Sequence, residues 1–565
     1  MNKRDAGGIA AIVATWCATI ASIDPRGDFP LHDDWGYIVA AFNYVRLGHF
    51  HFPPVTVASV RAQVLWGALW AHLFGVNCNV LRASVLFLSL ATLIVINRIL
   101  ARAGAPLWLC VFAPLALLFH PVFLWCACTF MTDVPYIFAS CLSLYFFARG
   151  LREERMSFVV AGCMATAVSW FIRQNGVVNL LPPLALLVVG RPRRWRAFSA
   201  VIVAAGVAFV LMFFLKPGWL SGSPDMMALH YHVWEESSFR LPEQIATLFH
   251  YVTFTAINCA IFFLPLTVPL IAMRRRSRPA LLLLAAIAAL FVYRMTYLAW
   301  NGYLVPYTSD HLFSDILPGQ VFFDFGVGPA NLVDVFALHY PFPYTMPHLA
   351  RVLLTIAAAL LSTLLVWALA IGSPTGRTGN LACPGQAGPG QAGPGQAGPG
   401  QAGLPVLQLA VGSIVFGTLI LFASGYYYDR YALDAAWAVA IALPLIVPWQ
   451  HRLARMTAIA SLIALGIFST LAVQEQFAWQ RARWQAFNDL RAQGIAERQI
   501  DGGAEARAFF ELREASIRES RRPGPPRPYA IAFHPLPGFR VVARYPWKGY
   551  FGWHRGEIFA LQRSE

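Results

Sequence analysis

Charge is scarce in this sequence. Of 565 residues only 13% are charged while 58% are apolar, and the mean hydropathy is +0.54. An average soluble domain is about a quarter charged, so an ordinary soluble protein is excluded. A disulfide framework is also lacking. Of the nine cysteines, Cys17, Cys110, Cys141, Cys163 and Cys259 fall inside apolar runs, where cysteine acts as a small hydrophobe. Cys126 and Cys128 stand close together with no partner at zinc spacing. Neither a required disulfide nor a zinc site is expected. The surplus of 43 basic over 28 acidic residues gives a formal charge of +15, which in a soluble chain would suggest nucleic acid. Here the arginines sit in short clusters between apolar runs, so the charge reports on membrane topology instead.

Long apolar segments and aromatic residues are plentiful, with 18 Trp among them, as in the aromatic belts of membrane interfaces. A spanning helix needs about 20 mostly apolar residues. Runs of this kind lie near 6–23, 80–101, 106–122, 133–149, 157–173, 176–190, 197–215, 246–273, 279–299, 347–371, 405–424, 431–449 and 455–473. The fold class expected is therefore an all-α polytopic membrane protein of about thirteen transmembrane helices. The stretch 63–76, "QVLWGALWAHLFGV", is too short to span and reads as re-entrant or interfacial. Lys3 and Arg4 place the N-terminus in the cytoplasm, and alternate loops then carry "ARAGA", "RGLREER", "RPRRWR", "RRRSR" and "HRLAR" on the same side. The first span reads as an uncleaved anchor, since no small-x-small cleavage site follows it.

Four units follow. A membrane module with its outer loops covers 1–373, and a flexible cytoplasmic linker of PGQAG repeats covers 374–404. The remaining spans cover 405–473. Residues 474–565 turn charged and Pro-rich, with short β-like runs "YAIAFHP" and "FRVVARYPW", and form a small extracytoplasmic domain. The location expected is a bacterial inner membrane.

Polar chemistry collects on the non-cytoplasmic side. After the first span, "FPLHDDWGYIVAAFNYVRLGHF" opens a helix with Trp35, Ile38, Val39, Phe42 and Val45 on one face, as in a helix lying along the membrane surface. Asp33 and Asp34 stand at its start. One aspartate suffices to cap a helix and complement its dipole; two adjacent acids repel and suggest a second task. Asp133 in "FMTDVPYIF" again sits at a helix start, where a cap is the plainer explanation. Arg173 in "WFIRQNGVV" and Arg430 in "YYYDRYALD" sit at span ends on the side where positive residues are disfavoured. Arg294 in "LFVYRMTYLAW" lies inside an apolar run, where an arginine is by default a functional candidate with an anionic partner. Acids can take a proton from an attacking hydroxyl, and arginines can hold and stabilise a phosphate. Together they suit glycosyl transfer from a lipid-linked phosphosugar. His120, His230, His232 and His348, on the same side, read as ordinary loop histidines with no zinc spacing.

The passages "HDDWGYIVAAFNYVRLGHF", "QVLWGALWAHLFGVNCNVLRAS", "FMTDVPYIFASCLSLYFF", "FIRQNG" and "YYYDRYAL", in this order, resemble the GT-C superfamily of membrane glycosyltransferases. They are most similar to the family of protein O-mannosyltransferases, lipid A aminoarabinose transferases and their bacterial relatives. The resemblance implies a polyprenyl-phosphate sugar donor, transfer to an extracytoplasmic lipid, glycan or protein hydroxyl, and inversion at the anomeric carbon. It implies Asp33 as base with Asp34 as acidic neighbour, Asp133 as the acid of the second outer loop, and Arg173 on the donor phosphate. Arg430 and Arg294 are the further phosphate-binding candidates. The chain departs from its relatives at "SVRAQVLW", where they carry Lys-Pro-Pro or Glu-Lys-Pro, and at Asp434, where they follow Asp-Arg-Tyr with Leu-Pro. No cofactor is expected, although three carboxylates leave Mg²⁺ or Mn²⁺ open. The rival readings are a lipid or sugar transporter or flippase, which needs polar residues at the midplane, and a polysaccharide polymerase or ligase.

Overall fold

The computed structural model describes residues 3–53, 56, 58–190, 195–215, 241–272, 278–300, 348–371, 403–420, 429–447, 449–511, 527–552 and 554–564. The linker read over 374–404 lies outside the described residues except for its last two positions, as do His230 and His232.

The chain opens with α1 (Lys3–Ile23), α2 (Asp34–Leu47), α3 (Arg61–Phe74), α4 (Cys78–Arg102), α5 (Leu107–Leu118) and α6 (Pro121–Ala127). Next come α7 (Asp133–Glu153), α8 (Met156–Ile172), a 3-10 turn Gln174–Leu180, α9 (Leu181–Gly190), α10 (Trp195–Leu215) and α11 (Leu241–Phe262). Then follow α12 (Arg278–Trp300), α13 (His348–Ile371), α14 (Leu404–Ile420), α15 (Leu433–Ile446), α16 (Arg452–Ala492) and α17 (Ala504–Glu511). The described residues also form four strands: β1 (Ile500–Asp501), β2 (Tyr529–Ala532), β3 (Phe539–Gly549) and β4 (His554–Arg563).

Among the described residues six helices are long and apolar enough to cross a membrane, or eight if each of two bent pairs is one span. The chain is thus a multi-pass membrane protein. Four further apolar helices, within 156–172, 174–189, 195–211 and 404–419, are shorter. The 14-residue α3 is not among the spans.

Two runs read from the sequence as straight spans are broken. The run 106–122 is divided between α5 and α6, which meet at 74°. Pro121 starts α6, where its missing N–H costs nothing. The run 246–273 bends by 89° between α11 and the segment from Leu264, with Pro265 just past the break. The two breaks meet. His120 accepts the Phe123 N–H through Nδ1 at 3.4 Å and packs its ring on Phe262 and Phe263, with centroids 5.1 and 5.0 Å away. His120 is therefore a fully buried capping residue, not the loop histidine expected.

The span read over 455–473 also continues, as α16, to Ala492. Beyond residue 473 its apolar positions Phe477, Trp484, Phe487 and Leu490 keep helical spacing and are buried. This half of the helix packs against the C-terminal sheet, whose order is β1-β2-β4-β3 with β1 and β2 parallel and the other pairs antiparallel. Ile531, Trp547, Ile558 and Ala560 of the sheet join one continuous core with α16 and the bundle. The C-terminal unit is thus fused to the membrane helices by a single long helix. α2 is covered from this side: Trp35 and Val39 pack on Ala508 and Phe509.

Candidate active site

The two adjacent aspartates part company. Asp34 is buried, and its two oxygens accept backbone N–H groups from Leu31 at 2.7 Å and Phe130 at 3.0 Å. Phe130 is held at its other end too, its carbonyl accepting from Gln63 Nε2 at 2.6 Å. Arg82 braces the same loop, donating to the carbonyls of Pro25, Gly27 and Phe29. Asp34 therefore ties the loop after α1 to the loop before α7. Burial pushes its carboxyl up to about 7, against the Phe130 N–H, Arg82 and the Leu31 N–H, which favour the charged form.

Asp33 makes no side-chain cap to α2. Its Oδ2 pairs with Arg430 Nη2 at 3.0 Å, and its Oδ1 lies 3.4 Å from His32 Nδ1. Half of its side chain, 51%, is exposed. Burial opposes its ionisation, but His32 and then Arg430 outweigh burial and hold the carboxyl well below the usual carboxylate range.

Arg173 ends α8 in extended backbone. Its Nη1 contacts Asp133 Oδ1 at 2.9 Å and Asp434 Oδ1 at 3.2 Å, and Asn175 Nδ2 supports Asp434 Oδ2 at 3.2 Å. Asp133 is fully buried, and its Oδ2 has no hydrogen-bond partner among the described residues. The fold places Arg173 by a glycine. At Gly176 a Cβ would lie 2.3 Å from the Trp170 nitrogen, so only glycine lets the 3-10 turn close back on α8. This is the physical content of the "RQNG" stretch.

The two cations share one ring. Tyr431 lies 5.3 Å from the Arg173 guanidinium and 5.8 Å from that of Arg430, a cation–π arrangement on both sides. The phenol of Tyr37, on α2, lies within the fields of Arg430, Asp33, Arg173 and Asp133, and burial pushes it up, so it stays neutral. Asp33, Asp133, Arg173 and Arg430 thus belong to one cluster. Arg294 belongs to the next: its guanidinium stands on Phe254 and Tyr297, in an apolar group whose edge is Tyr431. Sequence reasoning missed Tyr37, Tyr431 and Asp434 as members of the site. Their signals are weak, a tyrosine one helical turn after Asp33 and an acid at the start of an apolar run.

No family model matches this sequence, and no curated protein does. Two crystal structures are similar to it. Both are of ArnT from Cupriavidus metallidurans. The apo form is 14% identical, with 98% of each chain covered and a TM-score of 0.40. The form bound to undecaprenyl phosphate is 15% identical, with 98% of this chain and 97% of that chain covered and a TM-score of 0.35.

What the site can do rests on its own residues. Carboxylates and guanidiniums alternate in one cluster, in which Asp33 is the half-exposed acid. Among the described residues no three of His, Cys, Asp and Glu are grouped to hold a metal ion. The natural pair, Asp133 and Asp434, has Arg173 between its oxygens instead.

Proposed function

We propose that this chain is a membrane glycosyltransferase. It moves a sugar from a polyprenyl-phosphate-linked donor to a hydroxyl of an extracytoplasmic lipid, glycan or protein. The observation that carries this reading is the half-exposed Asp33 carboxylate held on Arg430, in the same charge cluster as Arg173.

With its carboxyl held low, Asp33 is at first a weak base. A donor phosphate that takes up the Arg430 guanidinium withdraws the partner that stabilised the Asp33 charge, and the carboxylate gains basicity as the substrate arrives. The acceptor O–H then gives its proton to Asp33. The acceptor oxygen bonds to the anomeric carbon as the bond from that carbon to the phosphate oxygen breaks. The electron pair leaves with the polyprenyl phosphate, and the configuration inverts. Arg173 spends only Nη1 on Asp133 and Asp434, so Nε and Nη2 are the donors available to the leaving phosphate. A positioned donor of this kind contributes about 3 kcal/mol to lowering the barrier. Asp133, fully buried, holds the Arg173 guanidinium. Asp34 holds the frame. Arg294, whose ring contacts lie in the neighbouring cluster, takes no part in this step. At the Asp133–Asp434 pair Arg173 takes the place that a bridging metal would hold.

The test uses the purified protein in detergent with a glycosylated undecaprenyl phosphate and an envelope extract as acceptor. Product formed without a sealed membrane, and lost in Asp33→Asn, supports transfer. Full product from both Asp33→Asn and Asp133→Asn overturns the site, and donor movement only across sealed vesicles favours a transporter.

A further inference from the structure

The loop that carries Asp33 is gripped from the C-terminal unit as well as from the bundle. The His32 N–H donates to Glu505 Oε1 at 2.8 Å, across 473 positions of sequence. Glu505 stands in the first turn of α17 and is buried. Its other oxygen accepts from Arg483 Nη1 on α16. Arg483 is itself fixed: Nε and Nη2 both donate to the Gly502 carbonyl, at 2.9 and 2.6 Å, and Nη1 reaches Gln480. A rigid chain of contacts therefore runs from the long helix through Glu505 to the backbone next to Asp33.

His32 is where such a grip has most effect. Its φ is 53°, in the left-handed region that a residue with a Cβ rarely adopts. A strained conformation persists only when its surroundings over-determine it. The charge-assisted bond to Glu505 is one determinant and the Asp34 bond to the Leu31 N–H is another. Asp33 and Asp34 diverge as consecutive residues at a helix start do, and the turn at 32 sets the direction of the pair, Asp33 toward Arg430 and Asp34 into the core.

We infer that Glu505 is a positioning residue for Asp33: the C-terminal unit sets the direction of the base through the His32 backbone. This rests on the reading of Asp33 as the base, and it gives the C-terminal unit a role in the reaction apart from any contact with acceptor.

Hydrogen–deuterium exchange of the full-length purified protein tests the contact without any substrate. In Glu505→Ala the segment 29–36 is expected to exchange at least about tenfold faster, the factor that loss of a charge-assisted hydrogen bond implies, while β2 and β4 keep their protection. Because Glu505→Ala leaves Arg483 buried without its acid, Glu505→Asp serves beside it. It keeps a charge for Arg483 but is one methylene too short to span both partners. Unchanged exchange over 29–36 in Glu505→Asp, with the sheet intact, overturns the inference.

Initial rates of the purified protein in detergent, with a glycosylated undecaprenyl phosphate as donor and an envelope extract as acceptor, give the second arm. Glu505→Asp is expected to lower the turnover term at least about tenfold with little change in the KM term, and to add no further loss in an Asp33→Asn background. His32→Asn, which accepts the left-handed region more readily, is expected to shrink the Glu505→Asp effect. Equal losses in both backgrounds overturn the positioning role. An active Asp33→Asn, by contrast, overturns the proposed base while leaving the exchange result standing.

Discussion

Arg430 Nη2 donates to Asp33 Oδ2 at 3.0 Å, joining residues 397 positions apart. In the proposed step one guanidinium serves both as anchor for the donor phosphate and as brake on the base. Arg430→Ala removes both functions. Turnover is expected to fall about 10²–10³-fold, the usual cost of losing a positioned donor to a developing anion. The same change lets the Asp33 carboxyl rise toward the ordinary carboxylate range. As the proposed base Asp33 must be ionised, so the acid limb of the kcat/KM profile is expected at higher pH in the variant than in the parent. An acid limb that stays in place would separate Arg430 from the base.

Tyr431 faces Arg173 and Arg430 at once. The ring, not the hydroxyl, makes these contacts. Tyr431→Phe is expected to bind undecaprenyl phosphate nearly as the parent does, while Tyr431→Ala weakens binding about tenfold or more, as loss of two cation–π contacts of roughly 1 kcal/mol each implies. Titration of the detergent-solubilised protein distinguishes the two. A Tyr431→Phe as poor as Tyr431→Ala would assign the effect to the hydroxyl.

Asp34 carries a pH signature of the opposite sign to Asp33. Its folded-state carboxyl, pushed up to about 7, binds a proton more tightly than in the unfolded chain. Its contribution to stability is therefore fully present at acidic pH and declines as pH rises through the window between the ordinary carboxylate value and about 7. The decline is on the order of 1.4 kcal/mol for each unit of separation. Thermal unfolding of the parent and of Asp34→Asn at several pH values checks this: the stability of the parent relative to the variant should fall across that window.

The membrane runs were legible because twenty apolar residues in a row leave few alternatives. The bends were not, because apolar composition is the same on either side of His120 or Phe263. Only Pro121 and Pro265 signalled a restart. Asp33, Asp133, Arg173 and Arg430 stood out as charges at the ends of apolar runs. Asp434 did not, since an acid at a helix start is most often a cap. Tyr431 becomes informative only once Arg173, distant in the chain, is seen on its ring beside the neighbouring Arg430. Glu505 lay beyond sequence reasoning altogether: its partner is a backbone N–H, which no side-chain pattern announces. The continuation of α16 was readable in principle, in the helical spacing of Phe477, Trp484 and Phe487, but the onset of charge at residue 474 drew a domain boundary there instead.

Gly176 tests whether the fold, and not only the charges, makes the site. A Cβ there would meet the Trp170 nitrogen at 2.3 Å and the Ser169 carbonyl carbon at 2.4 Å. Both are main-chain atoms at the end of α8, so no side-chain rotation relieves the clash. The turn that follows must move away from the helix, and the Gly176 N–H bond to the Arg173 carbonyl, 2.9 Å long, goes with it. Arg173 then loses its register between Asp133 and Asp434. Gly176→Ala is expected to cost about 1–3 kcal/mol of stability, as overpacking does, and to lower product formation as far as Arg173→Ala. Gly7→Ala is the control. That glycine lies in α1 with nothing within 4 Å of its added methyl, and in a helix the exchange is worth roughly 0.5–1 kcal/mol of stabilisation. If Gly176→Ala kept full activity and an unchanged unfolding temperature, the closure of the turn on α8 could not be what holds Arg173 against its two acids.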